Sequence, residues 1–164
     1  MSEFYTQNGW KGENYSINLS TKEITAKIRE FVKKVYPDCK FSCRCEYFSM
    51  GSAIHITLLE APQKVFAAGM YEENNGYIQS AEYYIRGSRQ NYLTEYGKTL
   101  ISTVQNFIDS YNRSDSESMI DYFDENFYSH FNIGTWEKPF KVVEKSQPKQ
   151  NDGENRMEFA AYIK

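Results

Sequence analysis

Hydrophobic residues recur at helical spacing in a first segment that begins just after residue 20. Ser20 and Glu23 stand three positions apart at its start, the pattern of a capping box. Pro37 follows its end, and the residue before a proline disfavours helical backbone angles. The pattern predicts a first helix over residues 21–35. Its apolar stripe consists of Ile24, Ile28, Phe31, Val32 and Val35.

A second stripe at helical spacing follows Thr94 and Glu95 and ends near Asn112. Its apolar positions are Tyr96, Leu100, Ile101, Val104, Phe107, Ile108 and Tyr111.

Between the two predicted helices, apolar and polar residues alternate strictly over residues 40–47, and they alternate again over 53–60. This period is typical of half-buried strands. The short link between the two segments, which contains Gly51, predicts an antiparallel pair. Residues 77–86 and 127–133 are predicted as further extended segments, and Pro62–Ala68 as a short helix.

These elements predict the α+β class, with an antiparallel sheet of three to four strands and two main helices packed on one face. The length of 164 residues favours a single domain, which we place at residues 1–144. Residues 145–164 are polar, with Pro148 and Gly153, and are expected to form a mobile C-terminal tail.

Composition narrows the class of protein. No run of about 18 apolar residues exists, and the N-terminus lacks the basic and apolar regions of a secretory signal. We therefore expect a cytoplasmic protein that does not contact membranes. The formal net charge is −3, and aromatic residues make up 16% of the chain. Aromatic side chains are expected to compensate for the low share of aliphatic ones, because each buries a large area.

Three cysteines, Cys39, Cys43 and Cys45, lie close together. A structural zinc site needs four ligands, usually from two cysteine pairs, and no second pair exists. The alternation places Cys43 and Cys45 on the apolar face of their strand. We expect core packing, no metal and no cofactor. His55 and His130 lack the local signature of a catalytic base, so no catalytic residue is predicted.

A second cluster is acidic. Two readings are open: oxygen ligands for magnesium or calcium, or caps and turns in which carboxylates accept hydrogen bonds from backbone N–H groups. The spacing lacks the pattern of an EF-hand, and the second reading is favoured. The cluster consists of Asp109, Asp115, Glu117, Asp121, Asp124 and Glu125.

Aromatic and basic residues are interleaved in residues 77–92. Tyrosine and arginine are enriched at protein interfaces, and the surrounding charge is acidic, so a protein partner is favoured over nucleic acid. The candidate binding residues are Tyr77, Tyr83, Tyr84, Arg86, Arg89, Tyr92 and, further along, Trp136.

The alternative is a nucleic-acid-binding patch on the first helix and first strand, because basic side chains neutralise phosphates. Its residues are Lys27, Lys33, Lys34, Lys40 and Arg44.

Several segments resemble the large polyvalent protein-associated domains of phages and conjugative elements. They are YPDCKFSCR at 36–44, SMGSAIHI at 49–56, YNRSDS at 111–116, DYFDENFY at 121–128 and GTWEKPF at 134–140. The resemblance covers residues 20–140 and implies a mobile-element or phage setting, without catalytic residues. The positions that it marks as structural are Pro37, Phe41, Ser42, Gly51, Ser52, Asp115, Asp121, Tyr122, Phe123 and Asp124.

Together these observations lead us to expect a non-enzymatic binding or accessory protein of a mobile genetic element or phage, engaging a host or element-encoded protein. Inhibition of a host defence system is one such role. A nucleic-acid-binding accessory domain is the alternative. A metal-dependent hydrolase acting through Asp115, Asp121 and Asp124 is the weakest of the three.

Overall fold

The structure is a computed structural model that describes residues 4–120 and 124–144. Its α-helices are α1 (Thr21–Val35), α2 (Met70–Glu73) and α3 (Glu95–Ser110), and 3-10 turns span Ala81–Tyr84, Gly87–Tyr92 and Ser118–Ile120. Its strands are β1 (Trp10–Lys11), β2 (Lys40–Phe48), β3 (Gly51–Ala61), β4 (Arg113–Ser114), β5 (Tyr128–Ile133) and β6 (Lys141–Val142). The expected tail at 145–164 lies outside the described residues.

The capping box predicted for the first helix is present. Ser20 Oγ accepts a hydrogen bond from the Glu23 amide at 3.1 Å, and the Glu23 carboxylate accepts one from the Ser20 amide at 3.1 Å. The helix predicted over 21–35 is confirmed. The second predicted helix is also confirmed as α3, whose N-cap Thr94 accepts from the Gly97 amide at 3.1 Å.

The α+β class is confirmed, but the prediction of an antiparallel sheet is wrong in part. Strands β2 and β3 pair antiparallel, whereas β5 and β6 both pair parallel with β3. The connection from β3 to β5 runs from residue 62 to 127 and contains α3, which is long enough for the crossover that a parallel pair needs. Alternation has the same period in either direction, so it carried no information on the direction of β5.

Helices α1 and α3 pack against one side of this sheet, which we call the covered face. Ile54, Ile56 and Leu58 of β3 and Phe131 of β5 are fully buried there. The two helices meet through the rings of Phe31 and Phe107, which stack at 4.0 Å between centroids. Gln105 of α3 also donates to Ser129 Oγ of β5 at 3.2 Å. The apolar stripes of α1 and α3 therefore pack on the covered face. That face is formed by the odd-numbered residues of β2 and β5 and the even-numbered residues of β3.

Two local predictions are wrong. Residues 62–68 contain no helix, and the segment predicted to be extended over 77–86 contains a 3-10 turn at Ala81–Tyr84 instead of a strand. Ser80 and Gly87 adopt positive φ values of 58° and 84°, which interrupts an extended backbone. This segment instead lies along the outer edge of β5, where Glu82 accepts a hydrogen bond from the Phe131 amide at 3.0 Å.

Candidate functional site

The side of the sheet opposite the helices presents polar and aromatic side chains, and we call it the open face. The register pairs Arg44 of β2 with His55 of β3, and His55 with His130 of β5. Directly paired residues point to the same side of a sheet. The three basic side chains therefore form one row across the sheet, about 5 Å apart from strand to strand.

Within this row the two imidazoles stack. Their ring centroids are 5.1 Å apart and the planes differ by 20°. The Nε2 atom of His55 lies 2.8 Å from the Glu46 carboxylate, and because a carboxylate only accepts, that nitrogen carries the proton. Burial, and then the proximity of His55, lower the pKa of His130 below its ordinary value. Glu46 thus holds His55 in place, and His55 in turn disfavours charge on His130.

An aromatic pair lies beside the row. Phe48 and Tyr128 are 44% and 38% exposed, and their ring centroids are 6.3 Å apart. Both approach Gly51, where an added Cβ would lie 3.4 Å from the Phe48 ring and 3.9 Å from the Tyr128 ring. The absence of a side chain at residue 51 leaves room for the two rings to approach one another across β3.

Sequence reasoning missed the open face as a site. Alternation assigned Arg44 and His55 each to one face of its own strand. It did not predict that the two residues would lie on the same face of the sheet. The third member, His130, joins the row only through the parallel register of β5 with β3. The two histidines of the chain are thus brought together by tertiary structure from positions 75 residues apart.

Three of the predicted protein-binding residues come together in the 3-10 segment. The Arg89 guanidinium lies 5.4 Å from the centre of the Tyr84 ring and donates to its hydroxyl at 3.3 Å. Tyr92 meets Tyr84 edge to face at 5.5 Å. Tyr83, which is 74% exposed, lies two residues after the fully buried Ala81.

The other three predicted binding residues are not part of this cluster. Arg86 is exposed between the two 3-10 turns, and Tyr77 is half-buried beside the bridge between Ile78 and Ile133. Trp136 is 78% exposed, in the loop that follows β5.

The predicted nucleic-acid patch is not one surface. Lys27, Lys33 and Lys34 are exposed on α1. Lys33 and Lys40 border a groove of about 320 Å³ between α1 and β2, whereas Arg44 points to the open face on the other side of the sheet. Beside this groove, the Arg29 guanidinium donates two hydrogen bonds, at 2.7 and 3.1 Å, to the Cys43 carbonyl of the edge strand β2.

The cysteines pack as expected. All three are free thiols and half-buried, and Cys39 and Cys43 contact the core. Burial raises the pKa of Cys43 to about 11, and burial also raises the pKa of Cys39, whose sulfur lies 3.5 Å from the Tyr96 hydroxyl. Both thiols are therefore protonated near neutral pH, which makes them poor nucleophiles.

Described members of the acidic cluster have protein partners. The buried Asp115 carboxylate accepts from the amides of Tyr5 and Thr6 at 2.6 and 2.9 Å. Burial raises the pKa of Asp115, but the hydrogen bond from the Thr6 hydroxyl, the two amide hydrogen bonds and the nearby Arg113 together bring it below its usual value. Asp124 binds the Arg113 guanidinium at 3.0 Å. These contacts agree with the favoured interpretation of the acidic cluster, in which carboxylates accept hydrogen bonds within caps and turns. Asp121, Tyr122 and Phe123 lie outside the described residues.

The remaining positions marked by the family resemblance support the sheet and α1. Ser52 Oγ lies 2.6 Å from Thr21 Oγ1, a buried hydroxyl pair that joins β3 to α1. Phe41 contacts the core and packs against Tyr36, with ring centroids 6.4 Å apart. Ser42 lies on the open face next to Arg44, and Pro37 follows the end of α1.

Within residues 4–120 and 124–144, no group of three or more His, Cys, Asp or Glu side chains is arranged to hold a metal ion. None of the helices in this part of the chain has the length and apolar content to traverse a bilayer.

The family model of large polyvalent protein associated domain 29 matches residues 19–105. The chain belongs to this family. The match contains α1, β2, β3 and most of α3, and it ends before β5, so the resemblance expected over residues 20–140 is confirmed in its first part. Comparison with curated proteins and with solved structures gave no match.

Proposed function

We propose that this chain is a non-enzymatic accessory protein of a phage or conjugative element and that it binds a protein partner in the bacterial cytoplasm. Membership of the family supports the setting. The observation that carries the binding function is the cluster of Tyr83, Tyr84, Arg89 and Tyr92, which we call the aromatic segment. Inhibition of a host defence protein is one role that such binding serves.

The aromatic segment is ordered before any partner arrives. Its N-terminal end is anchored by Ala81, which is fully buried, and its C-terminal end by Leu93, which is 3% exposed. The Tyr92 carbonyl accepts from the Ala67 amide at 2.9 Å, and Arg89 is stacked on Tyr84. Side chains that are already held lose less conformational entropy on binding, which favours a recognition surface of tyrosine and arginine.

The direct test introduces a photo-reactive phenylalanine analogue in place of Tyr83 and irradiates the protein in a lysate of the host bacterium. The matched control carries the analogue in place of Ile17, which is 85% exposed in a different part of the chain. We expect one discrete cross-linked protein from position 83 that is absent from position 17.

The captured partner is then purified and titrated with Tyr83→Ala and Arg89→Ala. Truncation of a hot-spot residue weakens binding by at least about 30-fold, so each variant is expected to show a loss of this size, and Ile17→Ala none. Equal cross-linking from both positions, or unchanged affinity for both variants, would contradict the proposal. Thermal melts of the variants verify that folding is unaffected.

A further inference from the structure

The open face bears an arrangement that the aromatic segment does not use. Arg44, His55 and His130 stand side by side with no residue between them. Arg44 supplies a permanent positive charge, and the His130 imidazole keeps one N–H donor even when it is neutral. Among the described residues, the carboxylate bound to this row is that of Glu46, which contacts His55. The Arg44 side chain is exposed. The row is therefore complementary to an anion lying across the strands.

The aromatic pair is placed next to this row. Tyr128 stands two residues before His130 on β5, and Phe48 stands four residues after Arg44 on β2. Alternate residues of a strand lie about 7 Å apart, which is comparable to the separation of phosphate and base within one nucleotide. The rings are exposed enough for a planar group to contact them.

We propose that the open face binds single-stranded nucleic acid, with a phosphate against the row of Arg44, His55 and His130 and a base against Phe48 and Tyr128. Aromatic side chains that stack bases beside basic side chains that contact phosphates are the combination found in single-strand binding sites. The bases of a duplex are stacked on one another, so they cannot stack on the aromatic pair. An acidic peptide has charge for the row but no planar groups for the rings.

This site differs from the basic patch on α1. Lys27 and Lys34 lie on the helix that covers the other face of the sheet, so they provide matched controls for loss of one positive charge. It also shares no side chain with the aromatic segment, so the result is independent of the proposed protein partner.

The experiment is a fluorescence anisotropy titration of the full chain with a labelled, mixed-sequence oligonucleotide of about 12 nucleotides, long enough to span such a site. DNA and RNA single strands, a duplex of the same sequence and a polyglutamate peptide are compared at low salt. We expect binding of the single strands that weakens as salt rises, with a slope of about −0.7 per phosphate contacted, and weaker binding of the duplex and the peptide.

Variants locate the site. Arg44→Ala is expected to weaken binding and to reduce the salt slope by about 0.7, while Lys34→Ala leaves both nearly unchanged. Phe48→Ala and Tyr128→Ala are each expected to weaken binding by at least about 5-fold with an unchanged salt slope, because stacking on one base carries that much affinity.

A spectroscopic measurement on the unaltered protein tests the site without relying on variants that could fail to fold. The chain has only 2 His, so the imidazole proton signals in the NMR spectrum of the unaltered protein report directly on the open face, with His130→Gln providing the assignment. Both signals are expected to shift on addition of the single strand. No association at low salt, equal loss for Arg44→Ala and Lys34→Ala, equal affinity for duplex or polyglutamate, or unmoved imidazole signals on binding would each overturn the proposal.

Discussion

The two faces of the sheet are built from the same strands, but they differ in burial and in the polarity of their side chains. On the covered face, Ile54, Ile56 and Phe131 are fully buried beneath α1 and α3. On the open face, their sequence neighbours His55 and His130 stack in a polar row. One residue of displacement along a strand therefore separates a position that holds the fold from a position that is available for binding.

The comparison separates stability from function within this domain. Side chains on the covered face are surrounded by other side chains, and their removal leaves cavities. On the open face, Arg44 is exposed and His55 and His130 are half-buried, so a ligand can reach them. Substitutions at matched positions on the two faces test this separation.

The sharpest contrast lies between two consecutive residues of β5. Phe131→Ala is expected to lower the free energy of unfolding by about 3–5 kcal/mol, because it removes a fully buried ring and leaves a cavity. His130→Ala, on the open face, is expected to change it by about 0.5 kcal/mol or less. Urea denaturation of the two variants measures both values, and similar losses would show that the open face is also part of the core.

A hydroxyl pair provides the next contrast. Ser52→Ala is expected to destabilise the fold by about 1–3 kcal/mol, because it leaves the buried hydroxyl of Thr21 without its partner. The double variant with Thr21→Val removes both polar groups, so it should recover part of the loss. Ser42→Ala on the open face serves as the control, with little expected change. A double-mutant cycle by denaturation reveals the coupling, and strictly additive losses would argue against it.

The helix that covers the sheet depends on its cap. Ser20→Ala removes the acceptor for the Glu23 amide and is expected to lower stability by about 0.5–2 kcal/mol. The control is Ser49→Ala, in the exposed turn between β2 and β3, which should have no measurable effect. Melting temperatures of the two variants make the comparison, and equal values would mean that the capping box contributes nothing to the covered face.

A weaker effect is the pH dependence that His130 of the open face contributes to stability. Because the folded pKa of His130 lies below its ordinary value, the unfolded chain binds a proton more readily than the folded chain. Stability is therefore full above about pH 6.5, and it falls as pH decreases toward the folded pKa of His130. Chemical denaturation at a series of pH values should show this fall, and His130→Gln should reduce it. An undiminished fall in that variant would assign the effect to other groups.

Several features of the fold could be predicted because the information is local. Ser20, Glu23 and Pro37 determine where α1 begins and ends, and Thr94 does the same for the start of α3. The turn at Gly51 joins two alternating segments, which is sufficient to specify the antiparallel pair of β2 and β3. In each case the residues that specify the element lie within the element or directly beside it.

Other features could not be predicted, since they depend on contacts between distant segments. The direction of β5 follows from the path of a long crossover. Residues 77–86 alternate loosely, yet positive φ values at Ser80 and at the following Gly87 interrupt an extended backbone beside the edge of β5. Of the predicted aromatic-basic set, Tyr84, Arg89 and Tyr92 form a cluster, while the predicted basic patch is divided between two sides of the molecule.

By itself the sequence determined the class of fold, the two main helices, the first strand pair and the protein family, since periodicity, caps and motif residues are properties of short stretches. The direction of β5, and with it the row of Arg44, His55 and His130, follows only from how the folded chain is packed. This is because β5 reaches the sheet after a long connection that contains α3, and no short stretch of sequence specifies where such a connection returns.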